Sequence, residues 1–353
     1  NRSSDLEIEE LCEKQISHTL VKVSEEMAKK NGENWIYSYY QKVKNGTIVV
    51  GQYIELLLDY LIKGLEEKQF FYDQSKANNA IEFIETHCFH TEGRLAPNPL
   101  KLELWQKAFV SALFGIVDDK GYRQIRECVL VIGRKNGKSL LASAIAKYEW
   151  LVDGGFGSKV YNIAPKLDQA DIIYNNIWQM TILDPEYQRM KEIYSEKDHQ
   201  MRKVNDDSDL PKHRQTDLYV LATNSTVKKI AFSAKKSDGF NPSLAICDEV
   251  AAWSGDGGLK QYEVMKSGMG AREEGILLSC TTSGYENDSI YDELMKRSTR
   301  FLLGDSKEKK LLPFIYMVDD PEKWNDINEL RKSNPNLGVS VSVDFMLEEI
   351  AVA

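Results

Sequence analysis

A continuous apolar run that passes into a short glycine-containing loop and then a helix constrains this chain more than any other feature. Residues 127–132 are β-rich and almost entirely apolar, which predicts a strand buried on both faces of a parallel sheet. Residues 140–151 predict a helix. The loop between them consists of Gly133, Arg134, Lys135, Asn136, Gly137, Lys138 and Ser139. Because glycines let backbone N–H groups crowd around an anion, and the helix points its positive end at the same place, the loop predicts a phosphate site.

The side chains of this phosphate loop (residues 133–139) have the chemistry that ATP and Mg²⁺ require. Lys138 would reach the β- and γ-phosphates, and the Ser139 hydroxyl would bind Mg²⁺. Only three residues separate Gly133 from Gly137, one fewer than in the usual pattern. Arg134 precedes Lys138 by four residues and would contact the γ-phosphate during transfer. The alternative for Arg134 is a solvent-exposed charge at the rim of the loop.

Further apolar runs alternate with helical stretches after this loop. Strands are predicted for residues 159–164, 243–247 and 275–280, a helix for residues 167–180, and a hairpin for residues 218–221 and 229–232. Strands that alternate with helices predict an α/β fold, with a parallel-sheet core and helices on both faces. The polar and charged residues 194–215 are interpreted as a mobile insertion or flap.

The pattern divides the chain into three regions. Residues 1–95 are predicted to form a helical N-terminal region, with helices at about residues 6–30, 35–43, 49–67 and 78–87. Residues 96–284 are the predicted core, and residues 285–353 a small linker subdomain.

No apolar run approaches the ~18 residues needed to span a bilayer, and no signal peptide is present. The chain begins without methionine and ends abruptly, which suggests a fragment.

Composition limits the partners and the redox setting. The net charge is −9, so the chain as a whole has no attraction for nucleic acid. Any contact with DNA must therefore come from a local basic surface or from several copies that share one DNA. The five cysteines are scattered and odd in number, which predicts reduced core cysteines in a cytosolic protein.

Two acidic residues directly follow one of the predicted buried strands. Asp248 and Glu249 come after residues 243–247. Ligands bind at the carboxyl edge of a parallel sheet, so Asp248 would hold Mg²⁺ through water. Glu249 would point elsewhere and would polarise an attacking water. Asp-Glu pairs are common in exposed turns, so this interpretation depends on the pair occurring together with the phosphate loop.

Hydroxyl and amide side chains flank the same motifs. Thr281, Thr282 and Ser283 follow the next predicted strand. Their hydroxyls would hydrogen-bond a γ-phosphate or the adjacent water and report hydrolysis to neighbouring elements; a simple turn is the alternative. Upstream, Gln106 carries an amide that suits an adenine edge. Trp105 beside it either packs near the base or fills the core.

Taken in order along the chain, these motifs resemble those of the large terminase subunit of tailed bacteriophages. They are Trp105-Gln106, the phosphate loop, Ala164-Pro165 with Gln169-Ala170, Asp248-Glu249 and Thr281-Thr282-Ser283. A shortened phosphate loop with an internal arginine is itself typical of that family. The resemblance implies a P-loop NTPase fold of the ASCE or RecA-like type. It also implies a motor that hydrolyses ATP to move double-stranded DNA into the procapsid.

The resemblance also implies roles for individual residues. Gln106 would read adenine, Arg134 and Lys138 would contact the triphosphate, and Glu249 would be the catalytic carboxylate. Ser139 and Asp248 would hold Mg²⁺. Thr281, Thr282 and Ser283 would couple hydrolysis to movement.

The partners that the resemblance implies are double-stranded DNA, a homo-oligomeric ring of usually five subunits on the portal, and a small terminase subunit. The protein would work in the host cytoplasm, transiently docked on the procapsid. A ring also resolves the acidic net charge, because each subunit needs only a few basic residues that face the DNA channel.

Two parts of the family pattern are not found in this sequence. The residues from Thr281 to Ala353 are too few for the RNase H-type nuclease that follows the ATPase in this family, so we expect ATP hydrolysis without DNA cleavage. The arginine finger of a neighbouring subunit is expected shortly before the acidic pair, where this chain has Lys235 and Lys236 but no arginine. Arg214 and Arg272 are further candidates, and the choice stays open.

Two other classes of protein share some of these motifs. A two-lobed nucleic-acid helicase or translocase would have the same Gln, phosphate loop, acidic pair and hydroxyl-rich motif. It would also need a second lobe, for which too little chain follows Thr281. A non-catalytic nucleotide-binding or scaffold protein is the third class, and the presence of Glu249 argues against it.

Overall fold

The computed structural model describes residues 33–200, 209–231, 239–253, 255–284 and 289–352. The helix predicted for residues 6–30 lies outside this part of the chain. Its α-helices are α1 (Trp35–Lys44), α2 (Gln52–Glu66), α3 (Gln74–His87), α4 (Leu104–Gly115), α5 (Lys138–Tyr148), α6 (Leu167–Leu183), α7 (Pro185–Gln200), α8 (Gly255–Gly268), α9 (Ile290–Leu302), α10 (Ile327–Ser333) and α11 (Val343–Val352). Shorter helical turns are Glu149–Asp153, Val250–Ala252, Met269–Ala271 and Pro321–Lys323.

The strands form one large sheet and one small one. They are β1 (Phe71–Tyr72), β2 (Ile116–Val117), β3 (Glu127–Val131), β4 (Lys159–Ala164), β5 (Lys212–His213), β6 (Leu218–Val220), β7 (Ser225–Ala231), β8 (Leu244–Asp248), β9 (Ile276–Thr281) and β10 (Leu311–Ile315). The large sheet has the order β10-β3-β9-β8-β4-β7-β6-β5. The first six strands in this order, from β10 through β3, β9, β8 and β4 to β7, are parallel to one another. Strand β6 pairs antiparallel with β7, and β5 pairs antiparallel with β6. The prediction of an α/β fold with a parallel sheet and helices on both faces is confirmed.

The strand order brings the predicted motifs together. Strands β3, β8 and β9 are buried along their whole length, as their nearly continuous apolar sequence requires. Strand β9 lies between β3 and β8, and all three run in the same direction. Their carboxyl ends therefore lie side by side at one edge of the sheet. The phosphate loop follows β3 at this edge.

The helices of the N-terminal region share one hydrophobic core with the sheet. Ile54 and Leu57 of α2 belong to the same cluster of buried side chains as Val129 of β3. The hydroxyl groups of Tyr39 and Tyr316 lie 3.1 Å apart, although the two residues are 277 positions apart in sequence. The division of the chain at residues 95 and 284 stays a prediction. The described residues on both sides of each boundary nevertheless pack together.

Three segments differ from the sequence-based expectations or add to them. Residues predicted to begin a mobile flap continue α7 to Gln200, and β5 pairs with β6. A hairpin is present, since β6 and β7 pair antiparallel, but residues 225–227 pair with β6 and not the predicted residues 229–232. Strand β10, from the predicted linker subdomain, pairs with β3 in the central sheet. Cys88, Cys128, Cys247 and Cys280 are buried and free, and Cys12 lies outside the described residues.

Candidate active site

The centre of the site is an ammonium group held between two carboxylates. Lys138 begins α5 at the end of the phosphate loop, and Asp248 is the last residue of β8. The Nζ of Lys138 lies 3.0 Å from Oδ1 of Asp248 and 2.5 Å from Oε1 of Glu249. Lys138 follows β3 by way of the phosphate loop, whereas the two carboxylates end or follow β8, on the other side of β9. The three residues were predicted to act together, and the structure brings them into direct contact.

Burial and charge act on the ionisation of this centre. Burial raises the pKa of the Asp248 carboxyl above its ordinary value, although the Lys138 ammonium acts in the opposite direction. For Lys138, burial acts to lower the pKa, but the negative charges around it, first that of Asp248, raise it above its ordinary value. The lysine is therefore held as a cation beneath the phosphate loop, as binding of a polyphosphate requires.

The backbone of the phosphate loop is shaped for an anion. Gly137 has a φ of 80°, in the left-handed region that favours glycine. Lys135 has a φ of 67°, in the same region. The loop then enters α5, so the N-terminal N–H groups of this helix lie directly after it. Ser139 lies in the first turn of α5 and is half-buried, whereas Arg134 and Lys135 are exposed. Both exposed cations therefore lie at the rim of the loop.

Glu249 has a backbone conformation that is uncommon for a residue with a side chain. Its φ is 52° and its ψ 49°, in the left-handed region. The carboxylate contacts Lys138 through Oε1, and its Oε2 lies 3.5 Å from the backbone N–H of Thr282. Such strain is typical of functional sites, where the surrounding structure maintains it.

The hydroxyl residues that follow β9 differ in their surroundings. Thr281 is buried, Thr282 half-buried and Ser283 exposed. Oγ1 of Thr281 accepts a hydrogen bond of 3.2 Å from the backbone N–H of Ala251, two residues after Glu249. It donates a bond of 2.8 Å to the backbone carbonyl of Thr282. The end of β9 is thus joined to the segment that carries Glu249.

Gln106 lies close to the phosphate loop and already has one partner. Its Oε1 accepts a hydrogen bond of 2.8 Å from the backbone N–H of Glu103, at the start of α4. Its Nε2 faces the loop, since a Cβ built on Gly137 would lie 3.8 Å from it. The N–H groups of this amide are the ones that face the loop, and its contact with adenine stays a prediction.

Sequence reasoning missed two residues of the site, Asn334 and Asn336. Both were interpreted as part of a linker, yet both are buried against the phosphate loop and hydrogen-bond to Asn136. No local pattern predicts a contact across about 200 residues. The one available signal was the sequence Asn-Pro-Asn, because two amides beside a proline in a polar segment suit an ordered turn.

The candidates for the arginine finger differ in their availability. The guanidinium of Arg272 donates to the backbone carbonyls of Asn241 and Gly157 and to Oδ1 of Asn241, so it is engaged within its own chain. Arg214 pairs with Asp217 and is half exposed. Lys235 and Lys236 lie outside the described residues.

The residues of the site fit Mg²⁺ by their chemistry. The Ser139 hydroxyl and the Asp248 carboxylate are hard oxygen ligands, which Mg²⁺ prefers, and it commonly completes its shell with water and substrate phosphates.

The parallel sheet, the phosphate loop and the acidic strand end together define a P-loop NTPase. The chain belongs to the family of terminase large subunits: the family model for the terminase large subunit, ATPase domain, matches residues 104–300.

Curated relatives agree with this assignment. The terminase large subunit of Lactococcus phage p2 is 24% identical over 319 residues, which cover 88% of this chain and 54% of that protein. The large subunit of Enterobacteria phage HK97 is 25% identical over 265 residues, 75% of this chain and 47% of that protein. The chain thus spans about half the length of these relatives. Protein YmfN of Escherichia coli (strain K12) is 33% identical over 115 residues, 33% of this chain and 25% of that protein.

The fold is also that of a solved terminase. The crystal structure of the HK97 bacteriophage large terminase has a TM-score of 0.62 and 20% sequence identity. The match covers 78% of this chain and 51% of that chain. The match to the family model favours the terminase family over the two-lobed helicase. None of the helices in the part of the chain that the structure describes is both long and apolar enough to cross a membrane.

Proposed function

We propose that this chain is the ATPase motor of a phage terminase and hydrolyses ATP to drive double-stranded viral DNA into a procapsid. The observation that carries the proposal is the contact of Lys138 with both Asp248 and Glu249. The proposed phosphate-binding cation, the proposed metal ligand and the candidate base belong to one hydrogen-bonded group, which supports a shared role in hydrolysis. Family membership supplies the packaging role.

The chain's own residues would divide the work of hydrolysis. Backbone N–H groups of the phosphate loop and the Lys138 ammonium bind the phosphates. Arg134, exposed at the rim, contacts the γ-phosphate as negative charge develops on it. Glu249 orients the attacking water and accepts its proton, for which its contact with Lys138 has to open.

Ser139 and Asp248 would hold Mg²⁺, which when bound neutralises charge on the β- and γ-phosphates. Gln106 would contact the adenine. Thr281, Thr282 and Ser283 would couple hydrolysis to movement, because Thr281 and Thr282 are joined to the segment around Glu249.

The motor would form a ring, of five subunits by analogy with the family, on the portal around double-stranded DNA. A small terminase subunit would be a further partner, and the setting would be the host cytoplasm.

The experiment that tests the proposal compares ATP turnover of the parent chain with that of Glu249→Gln. A general base contributes roughly 10²–10⁴-fold to a rate, so we expect turnover to fall at least about a hundredfold. ATP binding should be retained, because the amide keeps the size of the carboxylate. The matched control is Glu263→Gln, on the exposed face of α8.

Equal turnover in Glu249→Gln and the parent would remove Glu249 from the mechanism. A parent that binds ATP without turning it over at all would instead favour the non-catalytic nucleotide-binding class. A slow parental rate is compatible with the proposal, because a neighbouring subunit is expected to contribute a cation to the complete site.

A further inference from the structure

A segment far from the phosphate loop in sequence forms its outer support. Residues 333–341 begin at the last residue of α10 and pack against residues 133–137. The backbone N–H of Gly133 donates a hydrogen bond of 3.0 Å to the carbonyl of Ser333, and the Ser340 hydroxyl donates one of 2.7 Å to the carbonyl of Lys135. We call this segment the loop brace (residues 333–341).

Three asparagines join the loop brace to the phosphate loop. Nδ2 of Asn136 donates to Oδ1 of Asn334 at 2.8 Å. Oδ1 of Asn136 accepts from the backbone N–H of Asn336 at 2.9 Å, and its backbone carbonyl accepts from Nδ2 of Asn336 at 3.1 Å. Both ends of the Asn136 side-chain amide are therefore engaged by the brace.

The brace is itself fixed from the other side. Nε1 of Trp105 donates a hydrogen bond of 2.6 Å to Oδ1 of Asn336. Asn336 is 4% exposed and Asn136 fully buried, so water cannot replace these bonds. The side-chain amide of Asn336 also lies beside Gly137 of the phosphate loop, because a Cβ built on Gly137 would be 3.9 Å from its Nδ2.

A phosphate loop needs such outside support for a physical reason. Its backbone N–H groups have to remain available to the anion, so they cannot hold the loop in shape through bonds with one another. Asn136 also bonds internally, to the carbonyls of Gly133 and Arg134. An asparagine suits this task because its amide offers donors and an acceptor at once. The shape of the loop therefore depends on the brace residues that Asn136 meets.

We propose that Asn334 and Asn336 are positioning residues that hold the phosphate loop in its anion-binding shape and so set the affinity for the phosphates of the nucleotide. The inference rests on the proposed function, because it assumes that the loop binds a polyphosphate. Neither asparagine is proposed to touch the nucleotide. Without them, binding would also have to order the loop, and that cost would appear as a lower affinity.

The test measures the affinity of the full chain for ATP and for inorganic triphosphate by calorimetry. The variants are Asn336→Ala and Asn334→Ala, and the matched control is Asn328→Ala, an exposed asparagine of α10. Asn336→Ala removes the donor to the buried backbone carbonyl of Asn136, so we expect both affinities to fall roughly tenfold. Asn334→Ala removes one of the three acceptors of the Asn136 Nδ2, so we expect a smaller loss, of roughly threefold or more. Turnover at saturating ATP should change by no more than about threefold, because the brace contacts neither Lys138 nor Glu249.

The outcomes separate positioning from simple stabilisation. A lower melting temperature with unchanged affinity for both ligands would overturn the proposal. If both asparagine variants fail to fold, Ser340→Ala decides, because it removes one exposed hydrogen bond to the loop, and we expect roughly two- to threefold weaker binding. Unchanged affinity in that variant would count against the proposal.

The two ligands also distinguish this inference from the proposed function. A parent chain that binds triphosphate but not ATP would contradict the proposed function, and the triphosphate affinities of the variants would still decide the role of the brace. A parent that binds neither ligand would overturn both proposals.

Discussion

Gly133 and Gly137 are glycines for two different physical reasons. Gly137 has a left-handed backbone that L side chains rarely adopt. Gly133 lies against the loop brace, where an added Cβ would meet Oδ1 of Asn334 at 2.4 Å and the backbone carbonyl of Ser333 at 2.9 Å. The first glycine of the motif is thus required by a neighbour that the motif itself does not contain.

The close approach at Gly133 predicts the effect of a single methyl group. In Gly133→Ala the backbone of Ser333 would have to move, so we expect a loss of stability of about 1–3 kcal/mol and weaker binding of ATP. Urea unfolding and calorimetric titration measure the two effects. Gly270→Ala is the control, because an added Cβ meets nothing within 4 Å there. Parental stability and affinity in Gly133→Ala would show that the brace yields without cost.

Sequence reasoning succeeded where a residue's position depends on its own strand end. Lys138, Asp248 and Glu249 were predicted to converge because each follows or ends a buried apolar run, and parallel strands end at one edge. Asn334 and Asn336 were missed because their partners are distant in sequence and their segment has no periodicity. The capping contact of Gln106 with Glu103 was also missed, although a Glu three residues before a Gln is compatible with such a cap.

At the scale of elements, Glu127 joins the start of β3 to two helices. Its carboxylate accepts two hydrogen bonds from Arg297 of α9, at 2.6 Å and 3.0 Å. Lys266 of α8 lies 2.7 Å from Oε2, and the hydroxyl of Tyr262 donates to Oε1. Burial acts to raise the pKa of Glu127, but these donors together lower it to about 2. The charged carboxylate therefore stabilises the packing of α8 and α9 on the sheet.

This anchor predicts a dependence of stability on pH. Because the pKa of Glu127 is lowered on folding, its contribution is complete above the unfolded pKa of 4.5 and is lost as the pH falls towards about 2. Glu127→Gln should cost roughly 2–4 kcal/mol at pH 7, and its difference from the parent should shrink below pH 4.5. Urea unfolding at pH 7 and at pH 3.5 measures both.

The control for this anchor is Glu308→Gln, because Glu308 pairs with the same Arg297 but is more exposed. We expect a loss of less than about 1 kcal/mol there. A constant difference between Glu127→Gln and the parent across the whole pH range would contradict the assigned role of the carboxylate.

The strands differ in how well their sequence predicted them. Strand β4 begins and ends as predicted, because residues 159–164 are rich in strand-forming side chains and are flanked by Ser158 and Pro165. Strand β10 was missed because Pro313 lies within it and the segment was interpreted as a linker. A proline is tolerated in a strand only where no neighbour needs its N–H, and β10 is an edge strand with β3 as its partner in the sheet. The sequence alone does not identify which strand lies at the edge.

At the scale of the whole molecule, the N-terminal helices and the sheet share one core. Side chains of α1 and α2 are fully buried in the same cluster as those of β3, β9 and β10. We therefore expect the described part of the chain to unfold in a single cooperative transition. Melting curves from far-ultraviolet and near-ultraviolet circular dichroism should coincide, because Trp105 and Trp150 report on the core. Two separated transitions would show that the helices form an independent domain.

The loop brace has a consequence for the order in which the site can form. Asn136 and Asn336 are 200 residues apart in sequence, so their contact closes a very long loop, and such contacts tend to form slowly. On the ribosome, the phosphate loop would emerge long before its support. A fragment cut at residue 300, where the match to the family model ends, would contain Lys138, Asp248 and Glu249 but not the segment that shapes the loop. Competence to bind nucleotide would thus be acquired only after Lys138, Asp248 and Glu249 have already been made.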